Sequence, residues 1–180
     1  MHRQACPILG SIAFLMPLLF ISVSIALSPW FSFLNNALSD LGHATRSSVA
    51  ILFNLGLSTG GILLILFGAT CVYKVNRAIG IVLMASGYFL TLIAVFDEVY
   101  GRVHYVVSVI FFLSLAAGAS LYAYTYKSLK ASLALVISVL VWSFYFTKII
   151  KCGVAVPETI SILATLIWYI ELLFKVSKIK

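Results

Sequence analysis

Six long apolar stretches, five of them without any charged residue, constrain this 180-residue chain more than any other feature. A bilayer has a hydrocarbon core about 30 Å thick, and about 20 apolar helical residues are needed to cross it. Only 9% of the residues are charged, against about a quarter in soluble domains. The pattern therefore predicts an all-α integral membrane bundle of six transmembrane helices in a single domain, residues 1–180, with helices at about residues 8–29, 47–73, 78–96, 103–126, 131–147 and 157–174.

The lysines and arginines indicate an orientation for this bundle. Short connections on the cytoplasmic side of a membrane carry an excess of these residues. With both termini cytoplasmic, the inner side holds Arg3, Lys74, Arg77, Lys127, Lys130, Lys175, Lys178 and Lys180, and the outer side holds Arg46, Arg102, Lys148 and Lys151. This imbalance favours a multi-pass protein of the cell membrane with cytoplasmic N and C termini.

The net charge of +7 would suggest nucleic-acid binding in a soluble protein. Here, however, the basic residues stand singly or in pairs between apolar stretches. That spacing is typical of anchors at an anionic membrane surface. We therefore expect membrane lipids, and not nucleic acid, as partners.

The predicted topology places most of the ionisable side chains on the outer face. The densest polar segment is Asn35–His43, and within it Asp40 and His43 are three residues apart, so that a helix or turn would project them to the same side. His104 opens the fourth helix, where the macrodipole disfavours a charged imidazolium. The residues expected on the outer face are Asp40, His43, Asp97, Glu98, His104 and Glu158.

The resulting hypothesis is an outward-facing polar pocket in which Asp40, His43, Asp97 and His104 converge. Asp40 and His104 are the catalytic candidates, as acid and base groups. Two histidines and a carboxylate would also suffice for zinc with an open position for water, but no compact motif such as His-Glu-x-x-His is present, so no metal and no other cofactor is predicted.

A structural interpretation competes with this pocket. Asp, Asn and Ser often satisfy free amide groups at helix ends and in connections. That role is favoured for Asn36 and Ser39, and it is evenly balanced against function for Asp40 and His104. In either case the substrate-binding candidates are Asn35, Ser39, His43, Asn54, Asp97, Glu98 and Arg102.

Small residues recur at three- and four-residue spacing in the second helix. The pair Gly56-x-x-x-Gly60 is typical of close helix packing in membranes, and the segment Ala116–Ser120 in the fourth helix is similar. Such faces pack helices within one chain or join copies of it, so a homo-oligomer through small-residue helix faces is also predicted.

Two further expectations concern cysteines and an acid near a helix end. Cys6 and Cys71 are the only cysteines placed on the same side, in a compartment that normally keeps thiols reduced, so no good disulfide pair is expected. Glu171 lies within the sixth helix, where an acid is costly and a functional candidate. A pair with Lys175, four residues on, is the simpler explanation.

The sequence resembles a known family in its first connection and second helix. The matching residues are Asn-x-x-x-Ser-Asp-Leu-Gly at Asn35–Gly42, Phe53-Asn54-x-Gly56, and His104 at the start of the fourth helix. They resemble an archaeal family of multi-pass membrane proteins known as domain of unknown function 998. More distantly, they are similar to the six-helix family of the DRAM autophagy modulators and a GPI-anchor lipid-remodelling factor.

The resemblance implies a role in lipid handling, and by position it implicates Asn35, Ser39, Asp40, Gly42, Asn54 and His104. The His-x-x-x-His pair of alkaline-ceramidase-type membrane hydrolases is lacking, which disfavours a metal hydrolase. Two hypotheses follow. The protein binds lipid headgroups or a membrane partner through the outer pocket, with Arg46, Arg102, Lys148 and Lys151 for phosphates. Alternatively, it is a lipid-modifying enzyme that uses Asp40 and His104 as acid and base groups, with or without a metal.

Overall fold

The computed structural model describes residues 5–178. Within that range it contains six helices long and apolar enough to cross a membrane, and no strand. They are α1 (Ala5–Ala26), α2 (Ala50–Val75), α3 (Arg77–Val95), α4 (Arg102–Tyr126), α5 (Leu129–Phe146) and α6 (Ala155–Ser177). The predicted all-α fold, with six helices long and apolar enough to span a membrane, is confirmed for the described residues, and the orientation of the termini stays a prediction.

Successive helices run in opposite directions, so the connections alternate between the two ends of the bundle. We call the end formed by residues 27–49, 96–101 and 147–154 the loop end. The opposite end, with Cys6, Asn76 and Ser128, is called the termini end. The loop end is the more elaborate, because it carries two 3₁₀ turns, Leu38–Gly42 and Glu98–Tyr100.

Glycines let α2 pack closely against both of its neighbours. A Cβ atom added to Gly56 or Gly60 would run into side chains of α1. On the α3 side, a Cβ at Gly61 would lie 2.5 Å from the carbonyl oxygen of Gly87, and the reverse substitution meets the same obstacle. The close contact predicted for Gly56 and Gly60 therefore occurs within the chain, and assembly through small-residue faces stays a prediction.

Cys6 and Cys71 form a disulfide, contrary to the expectation that the cysteines offer no good pair. Their Cα atoms are 5.8 Å apart, where the start of α1 meets the last turns of α2. The topology placed both residues at one end of the bundle. The predicted topology did not include the packing of α1 against α2, and this packing makes the two helix ends neighbours.

Glu171 has partners other than the predicted Lys175. Its Oε1 lies 3.4 Å from the Nζ of Lys130, and its Oε2 accepts a hydrogen bond of 2.6 Å from the hydroxyl of Ser128. The ammonium of Lys175 lies instead over the ring of Tyr126, 4.0 Å from its centroid. The pairing of α5 with α6 at the termini end supplies a nearer cation than the next turn of α6.

Helix α5 is the most loosely packed of the six. Of its 18 residues, only Ala131 and Ala134 are buried, and both lie in the half nearer the termini end. Towards the loop end, α5 therefore leaves space between itself, α4 and α6. This space leads to the candidate site.

Candidate functional site

The polar segment singled out in the sequence folds around the carboxylate of Asp40. Its Oδ2 accepts hydrogen bonds from the side-chain amide of Asn36, at 2.8 Å, and from the backbone N–H of Ala37, at 2.9 Å. These bonds hold the chain where it enters the 3₁₀ turn. Asp40 and Asn36 thus have the structural role that competed with catalysis, as ties within a connection.

Three longer-range hydrogen bonds attach this segment to the helices. Glu158 of α6 accepts the backbone N–H of Leu38 at 2.8 Å through Oε2. The backbone N–H of Ala155, at the start of α6, donates to the carbonyl oxygen of Asn36 at 2.9 Å. The side-chain amide of Asn54 donates to the carbonyl oxygen of Gly42 at 2.8 Å. The segment is therefore fastened to α6 on one side and to α2 on the other.

Ser39 links this segment to the second 3₁₀ turn by donating a 2.6 Å hydrogen bond to Oε1 of Glu98. Burial raises the pKa of Glu98 to about 7, because a carboxylate loses hydration there. The Ser39 hydroxyl and the charge of Arg46 act in the opposite sense, whereas the neighbouring Asp40 carboxyl raises the pKa further. Glu98 can therefore change its charge near neutral pH.

His104 presents one ring nitrogen to the interior of the bundle. The side chain is 8% exposed, and its Nδ1 lies 2.7 Å from the carbonyl oxygen of Phe96. A carbonyl only accepts, so Nδ1 carries the proton, and in the neutral ring Nε2 is a free acceptor. The hydroxyl of Ser108 lies 3.4 Å from Nε2, at the long end of hydrogen bonding.

These groups border a cavity of about 730 Å³ between α4, α5 and α6. Glu98, His104 and Glu158 all lie at its loop end, and most of the remaining wall is apolar. Several hydroxyls in that wall, such as those of Ser138 and Thr165, bond to carbonyls of their own helices. The residues lining the cavity are Ala37, Ser39, Glu98, Gly101, His104, Tyr105, Ser108, Val109, Phe112, Leu113, Leu115, Ala116, Ala119, Ala134, Leu135, Ser138, Val139, Trp142, Ser143, Tyr145, Phe146, Val154, Glu158, Ser161 and Thr165.

The four side chains predicted to converge have different partners. Asp40 caps the first 3₁₀ turn, the ring of His43 lies 3.4 Å from the hydroxyl of Thr45, and Asp97 accepts the N–H of Val99 at 2.8 Å. His104 alone of the four lines the cavity. Within residues 5–178, no three histidine, cysteine or acidic side chains are grouped as a metal site would require.

The predicted binding residues divide in the same way. Ser39 and Glu98 line the cavity, whereas Asn54 supports the first 3₁₀ turn from α2. Asn35 is exposed and lies 3.4 Å from the hydroxyl of Ser32, and Arg102 is exposed at the start of α4. Ser39, Glu98 and His104 are thus the sequence-predicted residues that the structure brings to one cavity.

Sequence reasoning left Glu158 out of the predicted site. It placed Glu158 on the same face as the other acids but took it for a favourable helix start, since acids suit the positive end of the macrodipole. The structure instead gives it a partner 120 residues away, Leu38, and a place in the cavity wall. Trp142 was likewise missed, because an apolar helix gives no local signal of which face borders a cavity.

Comparison with known families bears on nearly the whole chain. Residues 9–175 match the model of a family described as "Protein of unknown function (DUF998)". The chain belongs to this family. No curated protein and no solved structure matches the chain, and its archaeal origin and similarity to the DRAM-type proteins stay predictions.

For this DUF998 protein, the two neighbours of Glu98 have opposite effects on its ionisation. We expect Ser39→Ala to raise the pKa of Glu98 above about 7, because the carboxylate loses a hydrogen-bond donor. Asp40→Asn should lower it, because a neighbouring negative charge is removed. Infrared titration of the carboxyl band, assigned with Glu98→Gln, measures both shifts. Shifts in the same direction for the two variants would contradict this electrostatic account.

Proposed function

We propose that this multi-pass membrane protein binds one amphiphilic membrane lipid in the cavity between α4, α5 and α6. The lipid's tail lies along the apolar wall, and its headgroup lies at the loop end among Ser39, Glu98, His104 and Glu158. The observation that carries the proposal is the distribution of polarity in a single cavity. Its ionisable groups Glu98, His104 and Glu158 are at one end, and apolar side chains line most of the rest.

The size of the cavity supports a lipid tail. Ligand sites commonly have volumes of about 300–1,000 Å³, and this one has about 730 Å³. Its lining on α4 extends from His104 to Ala119, which at 1.5 Å per residue corresponds to about 22 Å of helix. That length is most of the hydrocarbon thickness of about 30 Å, so an extended acyl chain fits along the membrane normal.

The same dimensions argue against a partner helix as the occupant. A transmembrane helix about 10 Å wide and 30 Å long occupies on the order of 2,000 Å³. The cavity holds roughly a third of that volume. A tail fills such a space, whereas a helix would have to move α5 away from α4.

A bulky side chain in the cavity wall provides the test. Ala116 lines the cavity and Ala117, the next residue of α4, is exposed and does not. We expect Ala116→Trp to reduce lipid retained after purification about tenfold, with Ala117→Trp unchanged as the matched control. Mass spectrometry of the intact protein–lipid complex measures this. Equal lipid retention by both variants contradicts the proposal, and a co-purifying polypeptide released by Ala116→Trp would assign the cavity to a partner helix.

Modification of the bound lipid is a second candidate function. The observation in its favour is that His104 and Glu98 line the same cavity, while the Nδ1 side of the His104 ring is used by the carbonyl oxygen of Phe96. In this reaction a proton passes from a lipid hydroxyl or a water molecule to Nε2 of His104. Asp40 lies beside Glu98 and not in the cavity wall, so it acts on the reaction through Glu98.

Lipid analysis separates the enzyme from the binding protein. If the protein is an enzyme, cells that express it should contain a changed lipid species. His104→Ala and Asp40→Asn should each abolish that change. The thermal unfolding temperature of the purified variants, which should equal that of the parent, is the control for folding. A lipid composition identical with and without the protein would exclude this second function and leave binding intact.

We also propose that the termini end faces the cytoplasm of a cell membrane. Among the described residues, the termini end carries the larger number of lysines and arginines: Lys74, Arg77, Lys127, Lys130, Lys175 and Lys178, against Arg46, Arg102, Lys148 and Lys151 at the loop end. Arg3 and Lys180, which also supported this orientation, lie outside the described residues. The Cys6–Cys71 disulfide at the same end argues against this orientation, because disulfides are rare in the cytoplasm outside hyperthermophiles.

The free cysteine at the loop end tests this orientation. Cys152 is partly exposed, in the connection between α5 and α6. A membrane-impermeant maleimide applied to intact cells should label it, and Cys152→Ala should abolish the labelling. Labelling only after the cells are opened would place the loop end in the cytoplasm and reverse the proposed orientation.

A further inference from the structure

We infer that, in the headgroup held in this cavity, the group attached directly to the lipid tail is a hydrogen-bond donor. That group is an ammonium or a set of hydroxyl groups, and not a phosphate. The inference rests on the proposed lipid-binding function. It concerns the chemistry of the loop end alone, where the described lining residues include two acidic side chains and neither lysine nor arginine.

Glu158 supplies the first of these acceptors. Its side chain is 8% exposed and lines the cavity. One carboxylate oxygen, Oε2, accepts the N–H of Leu38, whereas Oε1 has no hydrogen-bond donor within residues 5–178. This second oxygen is therefore free to accept a hydrogen bond from a donor on a ligand in the cavity.

His104 and Glu98 add further acceptors at the same end. The Nδ1 proton of His104 is used by the carbonyl of Phe96, so that only the Nε2 lone pair faces the ligand space. Glu98 receives one hydrogen bond, at Oε1 from Ser39, and that bond also occupies the hydroxyl proton of Ser39. The wall offers a phosphate no charged donor from a lysine or arginine, and its neutral hydroxyls, such as those of Tyr105 and Tyr145, are weaker partners for an anion.

The charge at the loop end agrees with this count. Within residues 5–178, one ion pair is formed, between Lys130 and Glu171 at the termini end. In that same range, no lysine or arginine lies within 4.0 Å of Glu98 or Glu158, and none lines the cavity, although the charge of Arg46 acts on Glu98 from outside it. An anionic group placed there would meet two acidic side chains and no cation in the wall, whereas an ammonium would stabilise the charged form of either acid and a hydroxyl would be tolerated.

The position of these acceptors along the cavity decides which part of a lipid they meet. They adjoin the apolar wall directly, so they face the group attached to the tail. Arg46 and Arg102 are exposed and contribute nothing to the lining. A phosphate bound by those arginines would lie outside the cavity, beyond the group that the acceptors recognise.

Three amphiphiles with one common tail test the inference. We would add terminally brominated dodecylamine, dodecyl glycerol and dodecyl phosphate to the full chain in nanodiscs and follow quenching of Trp142, which lines the cavity. Trp142→Phe subtracts quenching of the other tryptophans. We expect the amine or the glycerol ether to bind about tenfold more tightly than the phosphate, which corresponds to about 1.4 kcal/mol.

Neutralising Glu158 separates the two kinds of donor. Glu158→Gln keeps a carbonyl oxygen for the N–H of Leu38 but cannot carry a negative charge. If the natural headgroup is an ammonium, this variant should bind the amine about tenfold more weakly. If the natural headgroup is a polyol, its binding of the glycerol ether should be unchanged. Glu171→Gln, at the termini end, is the matched control and should change neither.

The outcomes distinguish this inference from the function on which it rests. If dodecyl phosphate binds as tightly as the other two, the headgroup inference is wrong, while quenching of Trp142 by the shared tail still supports lipid binding. If none of the three quenches Trp142, the cavity does not hold a lipid tail, and both the proposed function and the headgroup inference are overturned.

Discussion

The absence of water from a bilayer's hydrocarbon core is the constraint on which the rest of this structure depends. Backbone N–H and C=O groups in that region must be satisfied within their own helix. Several hydroxyls in the spans are satisfied in the same way, since those of Ser120, Ser138 and Thr165 each donate to a carbonyl oxygen four residues earlier. Polar chemistry that depends on contacts between distant parts of the chain is therefore concentrated at the helix ends.

At the loop end, side chains replace helical hydrogen bonds as the source of order. Asp40 holds the first 3₁₀ turn, and Asn54 and Glu158 fasten that turn to α2 and α6. Because Glu158 also lines the cavity, the hydrogen bond that positions this connection also places a carboxyl group in the cavity wall. The polar segment therefore borders the loop end of the cavity, where Ala37 and Ser39 are its members in the wall.

The sequence predicted the long apolar helices well but the hydrogen-bond and ion-pair partners of side chains poorly, as three acidic residues illustrate. Glu98 and Glu158 were placed on the correct end of the bundle, yet nothing in the local pattern indicated that Ser39 and Leu38 would donate to them. For Glu171, the spacing of four residues favoured Lys175, but the neighbouring helix offered Lys130. Local spacing accounts for partners on the same helix, and it carries no information about which helix packs alongside.

What the sequence determined by itself is the number and type of the helices, because the ability of a segment to cross a membrane depends on its own length and apolarity. What only the tertiary structure decided is which ends meet. The Cys6–Cys71 disulfide, the bond from Leu38 to Glu158 and the space left beside α5 each depend on the order in which helices pack. That order is set by side-chain shape and by close approach at glycines such as Gly61 and Gly87, over separations that a local pattern does not span.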